Sequence, residues 1–151
     1  METNNNKSTA ALIHLSALTQ YFIPFGNFIF PIILWSAMKD KSIYIDRQGK
    51  QIINFQLSLF LYSIVLILIA FPIFFITVLK NIDYKSSANF DHLEIQSFNL
   101  ENISGILILA FMSVFIFCAL KIFEFFLIIY ASAKTSNGLE FKYPLTINFI
   151  K

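Results

Sequence analysis

Charge is scarce in this chain. Asp, Glu, Lys and Arg make up 13% of its 151 residues, about half the share found in soluble domains. Cysteine occurs once, as Cys118, so an intramolecular disulfide is excluded. Histidine occurs twice: His14 has no Cys, Asp, Glu or second His at ligand spacing, and His92 reads as a solvated loop residue. With four glycines in all, there is no Gly-rich phosphate loop, and no His-Glu-x-x-His stands anywhere. Basic residues never cluster with interleaved aromatics, which removes the usual nucleic-acid footprint. These absences point away from an enzyme. No cofactor, metal, small-molecule substrate or catalytic residue is expected.

What the chain does have is apolar bulk. Hydrophobic residues reach 57%, with 19 Phe, and the mean hydropathy is +0.69. A domain of this size buries only about two-thirds of its chain surface. A water-soluble fold could not hide so much, so the expected surroundings are a bilayer. Three runs carry no charge at all: Ser8–Met38, Gln51–Leu79 and Asn102–Leu120. A helix needs about 20 apolar residues to cross a ~30 Å hydrocarbon core. The expected fold is therefore an all-α integral membrane protein, one domain over 1–151, with three to four hydrophobic helical segments. They fall at about 10–38, 52–79 and 103–133, with an external loop at 80–102 and an extended C-terminal arm at 139–151.

Orientation follows from the cations. The first connection holds Lys39, Lys41, Arg47 and Lys50, and the tail holds Lys134, Lys142 and Lys151. The middle loop is acidic, with Asp83, Asp91, Glu94 and Glu101 against Lys80 and Lys85. Cationic loops stay cytoplasmic, so the first connection and the C-terminus are expected inside a bacterial cytoplasmic (inner) membrane and the middle loop outside. A cleaved signal peptide is not expected, because the first apolar run is too long and lacks an Ala-x-Ala site.

That first run is broken. Pro24, Gly26 and Asn27 in IPFGN, followed by Pro31, predict a kink or a turn. The run is then either one kinked span or a re-entrant pair returning to the same face. On helical spacing Thr9, Ser16, Gln20 and Asn27 share one side. This polar face either lines a pathway or makes helix–helix hydrogen bonds, and the plainer contact reading takes precedence. His14 lies off the stripe and reads as structural.

In the second segment Asp46 is placed to cap the helix, and Asn54, Ser58 and Tyr62 form a polar edge at i, i+4, i+8. Pro72 is expected to bend the helix. The third segment contains Lys121 and Glu124, close enough on a helix to pair. One reading anchors the pair at the cytoplasmic boundary, with Lys121 snorkelling to water. The other makes it an ion or proton site inside the bundle, because an unpaired charge at mid-bilayer is costly. The boundary reading is adopted. Asn137-Gly138 marks a helix stop. Beyond it Leu139, Phe141, Tyr143, Leu145, Ile147 and Phe149 alternate with polar residues, the pattern of a half-buried extended segment, and Pro144 keeps it out of a sheet.

Three fragments, HLSALTQYFIPFGNFIFPIILW, DRQGKQIINFQ and NGLEFKYPLTINFIK, together resemble a family of small bacterial membrane proteins of unknown function. That family is similar in turn to the Tic twenty subunit of the chloroplast inner-envelope protein-import machinery. The resemblance covers about 10–79 and 105–151. It implies a non-enzymatic subunit or accessory factor of a membrane complex, linked at a distance to protein translocation. The alternative is a small homo-oligomeric channel or transporter, with the IPFGN break and the Lys121–Glu124 pair lining the path. The expected partners are the lipid bilayer and other membrane subunits or copies of the chain itself.

Overall fold

A computed structural model of the chain describes residues 3–81 and 100–151. Among the described residues all regular structure is helical, and there is no strand. Four α-helices appear in order, α1 (Asn4–Ser16), α2 (Gly26–Met38), α3 (Ile43–Asn81) and α4 (Leu100–Ser136). Short 3-10 turns, Ala17–Tyr21 and Lys39–Lys41, follow α1 and α2. The expected external loop falls almost wholly at 82–99, outside the described residues, and so do Asp83, Asp91, His92 and Glu94.

The expectation of three to four membrane segments is met in part. Only α3 and α4 contain stretches long and apolar enough to cross a bilayer among the described residues, at Ile43–Pro72 and Phe111–Ser136. The first hydrophobic run does not form a long helix. It folds back, and α1 and α2 pack against each other as a hairpin. Each has 13 residues, about 20 Å at 1.5 Å per residue, too short to span. The reversal lies at residues 22–25, where Phe25 takes a left-handed φ of 61°. Pro31 sits inside α2 without ending it.

Helix ends follow capping chemistry. Thr3 Oγ1 accepts from the Asn6 N–H at the start of α1. At α3 the cap is Ser42, whose Oγ accepts from the Tyr44 N–H. Asp46, the expected cap, lies one turn inside the helix. There it accepts from Trp35 Nε1 at 3.0 Å and pairs with Lys50 at 2.7 Å, tying the end of α2 to the start of α3. Gly49 permits this, since a Cβ there would run into the Trp35 ring. The C-terminus of α4 closes at Gly138 with φ +80°. The Gly138 and Leu139 N–H groups donate to the Thr135 and Lys134 carbonyls, the pairing that commonly ends helices.

The chain divides into two compact units. The first comprises residues 1–62 and 120–151. Its core is built from Ala10, Ile13 and Ala17, from Ile45, Ile52, Phe55 and Leu59 of α3, from Ile128 and Ala131 of α4, and from Phe141 and Tyr143. Phe55 and Tyr143 stack with centroids 4.2 Å apart. The second unit, 63–119, holds the remaining lengths of α3 and α4. Large side chains are exposed there, among them Leu68, Phe71, Phe111 and Phe115, as suits contact with lipid tails.

The C-terminal segment departs from the expected alternation halfway along. Phe141 and Tyr143 are buried, with Glu140 and Lys142 outward. Leu145, Ile147 and Phe149, expected to face inward, are exposed, and so is Leu139. The cause is the turn at Pro144–Leu145, where Leu145 adopts φ +58° and breaks the period of two.

Candidate functional site

Polar groups in an apolar helix need partners, because an unmade hydrogen bond away from water costs free energy. In the first unit these partners come from distant parts of the chain and form separate networks.

The first joins Gln20, Lys121 and Glu124. Gln20 Nε2 donates to Glu124 Oε1 at 2.8 Å, and Lys121 Nζ donates to Glu124 Oε2 at 2.8 Å and to Gln20 Oε1 at 3.1 Å. Glu124 is 1% exposed, whereas the Lys121 side chain is 36% exposed. The Glu124 carboxylate is thus enclosed with both oxygens engaged, while the Lys121 ammonium is partly open. The reason is Gln20, presented by the 3-10 turn that follows α1.

The second centres on His14, which is fully buried. Its Nε2 donates to Gln48 Oε1 at 3.1 Å, and its Nδ1 accepts from the Tyr143 hydroxyl at 2.8 Å. Burial, and then the charge of Glu124, hold the Tyr143 phenol well above its ordinary pKa, so it remains a donor. The ring joins α1, α3 and the C-terminal segment at one point.

The third is the edge Asn54, Ser58, Tyr62. Asn54 Oδ1 accepts from the Phe149 and Ile150 N–H groups, and its Nδ2 donates to the Ile150 carbonyl. Ser58 Oγ accepts from the Ile147 N–H, and the Tyr62 hydroxyl donates to the Leu145 carbonyl. Three side chains one turn apart thus hold the backbone of the C-terminal segment along α3, where no sheet is available.

The polar stripe on the first run does not survive as a single face. Ser16 Oγ bonds back to the Ile13 carbonyl, Gln20 reaches Glu124, and Asn27 Nδ2 donates to Gln56 Oε1 at 2.7 Å. Its period assumed one continuous helix, and the 3-10 turn with the fold-back puts Asn27 on a different helix from Ser16. Gln48, Gln56 and Tyr143 were not singled out as network members. Their signal was an amide or phenol within an apolar stretch, where a partner is required.

Among the described residues no three His, Cys, Asp or Glu side chains gather where they could hold a metal ion. Cys118 is a free thiol on an exposed position. The networks are hydrogen-bonding and electrostatic in character, and what they do is join helices.

The family model of the magnetosome magnetite crystal formation proteins (MamF/MmsF) matches residues 5–150. The chain belongs to that family, and it is a membrane protein. No curated protein and no solved structure matches it. This corrects the resemblance to the Tic twenty-like family, and the link to protein translocation falls with it. The fragments that carried the resemblance are a Phe/Ile-rich hairpin, a helix start and a docked tail.

Proposed function

We propose that this chain is a non-enzymatic, multi-pass subunit of a membrane assembly that takes part in forming magnetite crystals, acting through contacts with other membrane proteins or with copies of itself. The observation that carries this reading is the family match over 5–150. The structure supports it in a second way. Polar side chains in the first unit are turned toward one another, while the exposed lengths of α3 and α4 offer Phe, Leu, Ile and Val. Such surfaces meet lipid or partner helices, not a solute. The charge asymmetry of the connections supports a cytoplasmic-membrane orientation with the C-terminus inside.

The channel reading draws on the Lys121–Glu124 pair. The pair is closed by Gln20 within its own unit, which favours a staple over a conducting site. Deletion of the gene in the native cells, followed by electron microscopy of crystal size and number, tests the proposal. Altered crystals with normal growth are expected, together with recovery of the chain in a stoichiometric membrane complex under mild detergent. Unchanged crystals, or ion conductance by the pure chain in proteoliposomes, would overturn it.

A further inference from the structure

Where the first turns of α3 face the C-terminal segment there is a recess of about 240 Å³, lined by Arg47, Lys50, Lys142 and Lys151 among others, with Glu140 the one acid on its wall. We propose that this recess binds the phosphodiester headgroup of an anionic phospholipid in the adjoining leaflet.

With Arg47 paired to Glu140 and Lys50 to Asp46, Lys142 and Lys151 leave the wall net positive. Arg47 Nη1 donates to Glu140 at 2.7 Å, and the guanidinium has further donors beyond that bond. Lys50 is neutralised by Asp46, which is not part of the wall. Lys142 and Lys151 have no acidic partner among the described residues. The wall is held in place, because Asn54, itself buried, bonds the Phe149 and Ile150 backbone.

Depth selects a lipid over a free anion. Within the candidate span Ile43–Pro72, the charged residues are Asp46, Arg47 and Lys50, all near its start. Charges at the end of a span sit at headgroup level, so the recess opens where lipid phosphates are concentrated. Basic pockets at the cytoplasmic ends of membrane helices bind anionic headgroups for this reason. The volume is below the ~300–1,000 Å³ of pockets for drug-sized ligands and suits a headgroup whose acyl chains stay in the bilayer. The inference does not depend on a role in crystal formation.

The full chain in neutral detergent, melted with added phosphatidylglycerol, phosphatidylcholine or inorganic phosphate at matched ionic strength, tests this. Phosphatidylglycerol is expected to raise Tm saturably, and the other two are expected to have no such effect. Lys142→Gln and Lys151→Gln should each weaken half-saturation about fivefold, from ~1 kcal/mol per cation near a charged surface. Neither should change Tm in phosphatidylcholine. Lys41→Gln, on an exposed residue outside the recess, should leave the lipid response intact. The proposal is overturned if phosphatidylglycerol gives no rise, if Lys41→Gln weakens it as much as the recess variants, or if inorganic phosphate reproduces it and so identifies a soluble-anion site.

Discussion

Helices α3 and α4 each belong to two different environments. Up to Tyr62 on α3, and from Leu120 on α4, polar side chains such as Gln48, Asn54, Ser58, Glu124 and Ser132 are held by the hairpin and the C-terminal segment. Between Ser63 and Ala119 the described side chains are mostly apolar and exposed. One polar contact described there is local, with Ser113 Oγ donating to the Leu109 carbonyl. The difference shows where specificity resides. An apolar helix in lipid gains little by choosing one apolar neighbour over another, whereas a buried carboxylate or imidazole admits few arrangements. The networked unit should therefore respond sharply to single atoms, and the apolar unit should tolerate changes of shape.

The largest effect is expected at Lys121. Lys121→Met leaves the enclosed Glu124 carboxylate with Gln20 alone. Stranding a buried charge costs about 3–5 kcal/mol, and the one-third exposure of Lys121 favours the lower end. Adding Glu124→Leu should restore most of the lost thermal stability in detergent. Simple addition of the two losses would mean that the pair is not coupled.

Next comes Asn54→Ala, which removes three bonds to the tail. At about 0.5–1.5 kcal/mol each, a local loss of about 2–3 kcal/mol is expected. It should appear as faster hydrogen exchange at Phe149 and Ile150, and unchanged exchange there would show that the segment is held by other means. Tyr143→Phe keeps the stack on Phe55 but leaves His14 Nδ1 without its donor, for about 1–2 kcal/mol. A melt equal to that of the unaltered chain would remove the imidazole from the account. The smallest effect belongs to the apolar unit. Phe115→Leu, at an exposed position, should stay within about 0.5 kcal/mol, and a loss comparable to that of Lys121→Met would erase the contrast.

Much of this organisation is legible in the chain. The charge-free runs mark where α3 and α4 lie, Pro24 to Asn27 marks the reversal, and Asn137-Gly138 marks the helix end. Asn54 and Ser58 are visible as a polar edge from their spacing alone. What spacing cannot supply is the partner. Gln20 and Glu124 stand 104 residues apart, and the carboxylate is enclosed only because the first run folds back. The tail misleads for a local reason, since alternation presumes extended φ throughout and Leu145 does not comply. Family membership came from the match over 5–150 as a whole and not from the three fragments.

We propose that the chain crosses the membrane on α3 and α4, its two candidate spans, while the α1–α2 hairpin returns to the face it came from. Single cysteines placed in a Cys118→Ser background at Asn5, Asp40, Ser87 and Ser136, and labelled with a membrane-impermeant maleimide, test it directly. The account predicts that Asn5, Asp40 and Ser136 label together from the cytoplasmic side and Ser87 from the other. Labelling of Asn5 together with Ser87 would mean that the first hydrophobic run spans the bilayer, and would contradict it.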